Sequence, residues 1–406
     1  MMMTRILFPL LAGVCAVAQA QPPAEPNWSF GLKFPPETVR SWGEARAERS
    51  IQAAEADVLV WTPPGAERIR AALLIANNTD LVKIGEHTSV RAMAARHDMA
   101  ILYFRVLSGS VVESADPPVL AEPTFQTVMD LAAEHTGLEG FRNAPWITMG
   151  KSSRGRFPFR IAWAFPERVV ATIAYHGETP TWPIPAWSET GADASILHVN
   201  IQGLTEWDGT WYRHVRPSLL NYNAHSNWLA HQVVVYGVDH GYYMDYYLYP
   251  NHGANLPRDH RLIRVTQVWD YLAAFMDTAL ELRLPEEHPG PGEPVRLRQV
   301  ARDSGFWVHP RAPEELLGTK WFALRRNEAG LHQIIPWPQE TTPVLDVEQG
   351  HVPPGQLVRH AAAVPEEERG HGMWIPTRRM LNAWLNLHDI YKLSERVLAP
   401  LDTPAH

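Results

Sequence analysis

An α/β fold with a mostly parallel central sheet is predicted by three observations. Strand-like and helix-like segments alternate from about residue 57 to residue 280. Such repeated β-α units call for crossover helices on both faces of a parallel sheet. A tight glycine-flanked turn, Gly150-Lys-Ser-Ser-Arg-Gly155, joins one of the strand-like runs to a helix-like run. The polar residues best suited to chemistry follow strand-like runs, where open α/β sheets place their ligands.

The elements follow in order. Asp57 to Trp61 reads as a strand, closed by the turn Pro63-Pro64-Gly65. Ala71 to Ala76 is a second strand, ending in the polar run Asn77-Asn78-Thr79-Asp80. Glu86 to His97 has a helical pattern, and Met99 to Val106 is the next strand. Thr124 to His135 reads as a helix, with Gly137 just past its end. Pro145 to Met149 is apolar and partly β-branched, hence a strand, and Arg156 to Phe165 the helix after it. Val169 to Tyr175, Ile196 to Gln202 and Gln232 to Val238 are strands, and Leu262 to Leu280 reads as a long amphipathic helix. No internal repeat is visible.

The stretch Leu284-Pro-Glu-Glu-His-Pro-Gly-Pro-Gly-Glu-Pro294 breaks this pattern and reads as a linker or an extended crossing. Beyond it come short apolar runs such as Trp321 to Leu324 and Pro343 to Val347, then a helix expected over Thr377 to Val397. Residues 21–284 are therefore expected to form the α/β domain, and residues 285–406 a C-terminal extension of mixed structure. Trp307, Trp321, Trp337, Trp374 and Trp384 are a large apolar load for so small a segment. The extension is expected to pack on the domain, near the mouth of its site.

Residues 1–20 read as a signal peptide. Arg5 supplies the positive start, Ile6 to Ala18 an apolar core too short to cross a bilayer, and Ala18-Gln19-Ala20 a small-x-small cleavage pattern. The single cysteine, Cys15, lies inside this segment, so no disulfide is expected in the mature chain. Secretion or export to a periplasm is the expected location. A formal charge of −8 argues against a nucleic-acid partner. No later run reaches the ~20 apolar residues of a membrane helix.

Acyl transfer needs a nucleophile, a base to take its proton and an acid to orient the base. Ser152 sits at a strand-to-helix turn, where it is held up for attack. His240 follows the strand ending Val233-Val-Val-Tyr-Gly-Val-Asp239. Glu206 and Asp208 follow the strand Ile196-Leu-His-Val-Asn-Ile-Gln-Gly203. A serine, an acid and a histidine thus occur in chain order at three strand ends.

On these residues the chain resembles the α/β-hydrolases. The likeness is strongest from Gly150 to Val169, down to Phe165-Pro-Glu-Arg-Val169, and covers residues 50 to 280 but none of the extension. It implies the α/β-hydrolase fold, Ser152 and not Ser153 as nucleophile, His240 as base, and Glu206, three residues after Gly203, as acid, with Asp208 the alternative. It also implies an oxyanion hole from the backbone N–H of Ser153 and one from the loop after Ala76, for which Asn78 is the choice. The chain departs from Gly-x-Ser-x-Gly at Arg154. Glucuronoyl esterases and the PhoPQ-activated family are similar in carrying an arginine just after the serine. Arg154 is accordingly read either as a contact for an oxyanion or a carboxylated substrate, or as a structural partner of a local carboxylate.

The resemblance implies a serine esterase that works through an acyl-enzyme, and the N-terminal pattern adds the expectation of export. Trp182, Trp187, Trp207, Trp211 and the tyrosines after His240 suit an ester on a plant polysaccharide or phenolic conjugate, although such rings are also ordinary packing. The alternatives are a serine peptidase of the same fold and a non-catalytic, carbohydrate-binding relative. His176 reads as a substrate contact or a buried polar group. Nineteen histidines raise the question of metal, but their spacing suggests no catalytic site, so no cofactor is expected.

Overall fold

The computed structural model describes residues 27–33, 57–76, 81–105, 121–176, 195–203, 229–235, 258–290, 293–308, 322–326, 332–336, 358–365, 367 and 373–387. Eight described strands form one sheet: β1 (Phe30–Leu32), β2 (Val58–Trp61), β3 (Ala71–Ile75), β4 (Met99–Phe104), β5 (Trp146–Lys151), β6 (Val169–Tyr175), β7 (Leu197–Gly203) and β8 (Leu229–Val235). Their order is β1-β2-β4-β3-β5-β6-β7-β8. β2 runs antiparallel to both neighbours, while the pairs from β4 to β8 are all parallel. The fold is therefore α/β with a mostly parallel sheet. The sequence reading omits only β1, whose three residues are too few to show a period.

Helices cover both faces because the strands alternate their side chains between them. Leu73 and Ile75 face one core with α1 (Val82–Glu86), α2 (Thr88–Arg96) and α6 (Arg258–Arg283). Ala72 and Leu74 face the other, with α3 (Ala121–Thr136) and α5 (Phe157–Ala164). A four-residue helix, α4 (Gly140–Asn143), precedes β5. The single helix expected over Glu86 to His97 is instead two. His87 is extended (φ −67°, ψ 134°) and its Nδ1 accepts from the Ser89 N–H, so the ring caps α2 and ends α1.

The helix expected to be amphipathic, α6, is buried on nearly every side from Tyr271 to Leu280. The sheet and α2 cover one side. Residues of the extension cover another: α7 (Arg378–Leu387) packs along α6, and Trp307, Trp374 and Trp384 join the same core. A helix apolar all round is stable only when something covers all of it. β9 (Phe306–Val308), β12 (Val358–His360) and β13 (Met373–Ile375) make a small antiparallel sheet in the order β12-β9-β13. β10 (Phe322–Arg326) and β11 (His332–Pro336) form a separate antiparallel pair. Contacts of the extension's strands and helix lie along α6 and at His231, in the first half of β8, where Nε2 meets the Trp374 carbonyl. Since that carbonyl only accepts, Nε2 carries the proton and Nδ1 accepts from the Tyr271 hydroxyl at 3.3 Å.

The proline-rich crossing is tied to the base of the sheet, where the parallel strands begin. Arg70, just before β3, donates to the Pro285 carbonyl at 2.8 Å, and the Arg298 N–H donates to Arg283 at 2.8 Å. Ser195, just before β7, bridges Gln299 and the Val300 N–H at 2.7 and 2.9 Å.

One charged residue inside α6 joins three helices. Asp277 is 1% exposed; its Oδ1 meets Arg96 and His97, each at 2.8 Å, and its Oδ2 meets Arg379 of α7. Two guanidiniums already satisfy the carboxylate, and burial, helped by Arg96, Arg70 and Arg379, pushes the His97 pKa below its ordinary value. Burial likewise lowers His87, His135 and His288. These imidazoles are more easily protonated in the unfolded chain, whose pKa is ~6.5. Their contribution to stability is complete above that value and is lost as pH falls below it. The urea midpoint is therefore expected to decline between about pH 7 and pH 5. A midpoint that rises over this interval would contradict the burial of these rings.

Candidate active site

The topology marks one place on the sheet. From β3 the chain moves outward to β4, then returns to lay β5 on the other side of β3. The crossovers therefore diverge between β3 and β5 and leave a crevice at their carboxyl ends. The last residues of β3, β5, β6, β7 and β8 share this edge, as the pairs Ile75↔Met149, Lys151↔Tyr175, Tyr175↔Ile201 and Gly203↔Val235 show.

Ser152 lies at this crevice, directly after β5, with φ +53°. Only three described non-glycine residues have positive φ. A left-handed conformation costs an L-residue roughly 1–3 kcal/mol and concentrates at functional sites. Lys151 before it is still extended (φ −125°, ψ 147°), and Ser152 to Arg154 already form a 3-10 turn closed by the Gly155 N–H on the Ser152 carbonyl at 2.8 Å. The chain thus turns from strand to helix at the serine. The Ser152 N–H donates to the His176 carbonyl at 3.1 Å, which anchors the turn to β6. α5 then starts at Phe157, with Pro158 in its first turn, where a missing N–H costs nothing.

The glycines divide the work unequally. A Cβ on Gly150 would lie 1.9 Å from the Arg154 carbonyl oxygen and 3.0 Å from Pro158 Cδ. Position 150 must be glycine for the turn to fold back on the strand. Arg154 needs no such freedom, because its backbone is that of an ordinary 3-10 residue. This is why the usual second glycine can be absent here. Gly150→Ala is expected to lower the melting temperature clearly, since forced overpacking costs ~1–3 kcal/mol or more, and to abolish labelling of Ser152 by a fluorophosphonate. Wild-type melting and labelling in this variant would show that the close approach does not exist in solution.

His176 also has a left-handed backbone (φ +47°) and a buried side chain, so of its two expected roles the buried polar group fits. Its importance for the turn lies in its carbonyl, which no side-chain pattern in the sequence announces. Next to it in the chain, Tyr175 stacks on Trp269 at 5.8 Å, and Trp269 on His87 at 5.4 Å, within one hydrophobic core. Arg154 is half-buried beside the serine. Ser153 is the middle residue of the 3-10 turn. Glu206, Asp208, His240 and Asn78, with its neighbours Asn77 and Thr79, lie outside the described residues. The strands that precede them, β7, β8 and β3, end at the Ser152 edge.

Away from this edge, His97, Asp277 and Glu281 bring ligand-type atoms within 4.8 Å of one another. The guanidiniums of Arg96 and Arg379 on Asp277 repel a cation there, so the set suits an ion-pair network and not a metal centre. No helix among the described residues is long and apolar enough to cross a membrane.

No protein-family model and no curated protein matches the chain. Solved structures similar to it include a truncated carbohydrate esterase from gut microbiota, 14% identical, over 54% of this chain and 92% of that one, at a TM-score of 0.35. An alpha/beta hydrolase enzyme from the metagenome of Lake Arreo, Spain, is 12% identical over 55% of this chain and 78% of its own, with a TM-score of 0.35. An esterase of Pyrobaculum calidifontis is 13% identical over 54% and 80%, with a TM-score of 0.34. With TM-scores below 0.5 these likenesses are distant, and the fold rests on this chain's own strand order and turn.

Proposed function

We propose that the protein is an exported serine esterase. Ser152 attacks an ester carbonyl, His240 takes the serine proton and returns it to the leaving alcohol, and Glu206 holds the imidazole in the working tautomer. The N–H groups of Ser153 and Asn78 stabilise the oxyanion, and water releases the acyl group. The observation that carries this reading is Ser152 itself, a strained left-handed serine between a parallel strand and its helix, beside the switch point of the sheet. A left-handed serine is uncommon, and such strained residues concentrate at functional sites.

The substrate proposed is an ester on a plant polysaccharide or phenolic conjugate. The half-buried Arg154 beside the serine supports a substrate with a carboxylate, and the aromatic residues after Gly203 and Val238 support a ring-bearing one. The N-terminal pattern supports export.

The test is reaction with a fluorophosphonate followed by peptide mapping, together with turnover of p-nitrophenyl acetate and of a peptide amide. Labelling at Ser152 with turnover of the ester alone is the expected result. Turnover of the amide would make the protein a peptidase. Absence of labelling on folded protein would leave the non-catalytic, carbohydrate-binding reading.

A further inference from the structure

At the base of the sheet, on the side away from Ser152, the crossing segment and the residues before β5 and β6 line an open cavity of about 430 Å³. Arg283, the last residue of α6, lines it and is 1% exposed. Its Nη1 donates to the Arg298 carbonyl at 2.5 Å and its Nη2 to the Val169 carbonyl at 3.4 Å, while its buried Nε has no acceptor. Both acceptors are neutral, and the guanidinium meets no carboxylate among the described residues. Burial with no counter-charge brings its pKa down to about 10.

A buried charge without a partner is strongly unfavourable, and one that faces a cavity can be relieved by an ion that enters it. The surroundings set the sign and the shape of that ion. Arg168 adds positive charge to the wall; it is itself held in place, lying 4.0 Å over the Trp146 ring and donating to Gln126 Oε1 and to the Arg142 and Ala144 carbonyls. Arg296 and Glu167 also line it, and both are exposed. Pro145 and Leu297 make the wall apolar elsewhere. A cationic end with apolar sides suits a small anion that has an apolar body, in preference to a fully hydrated inorganic one.

We infer that this cavity is a binding site for a small organic carboxylate, whose carboxylate group neutralises Arg283 and whose apolar body lies against Pro145 and Leu297. The site is separate from the Ser152 crevice, and the inference does not depend on the esterase reading.

Benzoate is the probe. Titration into the full-length protein is expected to move the Arg283 Nε–H resonance saturably and to raise the melting temperature. Neutral benzamide and inorganic phosphate are each expected to bind at least ~10-fold more weakly, since a charge-assisted contact and an apolar contact would respectively be missing. Arg283→Met is expected to weaken benzoate by at least ~10-fold. Arg296→Glu changes an exposed residue, leaves the fold intact and is expected to weaken it several-fold through charge alone; it decides the matter should Arg283→Met not fold. An Nε–H resonance indifferent to benzoate, equal binding of benzamide or phosphate, or wild-type affinity in the Arg296→Glu protein would overturn the inference.

Discussion

Ser152→Ala is expected to abolish ester hydrolysis, with a loss of ~10⁶ in kcat, the cost typical of removing a triad serine. Ser153→Ala is expected to leave much of the activity. The two serines are adjacent in sequence but differ in backbone. Ser152 has φ +53°, follows the extended Lys151 and opens the turn; Ser153 sits within the 3-10 turn and is not among the left-handed residues. Steady-state kinetics of the two variants, with melting curves to show that both fold, makes the comparison. A dead Ser153→Ala protein beside an active Ser152→Ala protein would move the nucleophile by one residue and take away the significance of the left-handed serine.

Glu206→Gln is expected to lower kcat by up to ~10⁴, because an amide can favour the wrong imidazole tautomer while keeping the shape of the acid. Asp208→Asn is expected to do less. Both residues follow Gly203, which is paired with Val235 at the end of the next strand, five residues before His240. The candidate acids and the candidate base thus follow neighbouring strand ends. The pH profile discriminates further: loss of the orienting acid changes the ionisation that kcat/KM reports for His240, whereas loss of a spectator carboxylate leaves it. A larger loss in Asp208→Asn than in Glu206→Gln would reverse the assignment.

The core of the domain was legible because its signals are local. Val169 to Tyr175 matches β6 residue for residue, and Ala71 to Ala76, Met99 to Val106 and Ile196 to Gln202 match β3, β4 and β7 to within a residue or two at their ends. Buried parallel strands are short apolar runs, and no distant residue is needed to recognise them. The turn at Gly150 to Gly155 was legible for the same reason, since a tight turn writes its steric demand into its own glycines.

What the sequence determined by itself is the alternation of strand and helix, the position of the turn at Ser152 and the order of the candidate residues along the chain. Only the tertiary structure decided which strand ends share an edge, that His87 caps one helix and ends another, and that His176 anchors the Ser152 N–H through its carbonyl. It also decided that α6 is covered on its outer side by residues more than ninety positions further on, and that Asp277 has counter-charges whereas Arg283 has none among the described residues. The division has one physical cause. Backbone preference and apolar periodicity act over a few residues, whereas burial and charge compensation depend on partners that the chain brings together only by folding.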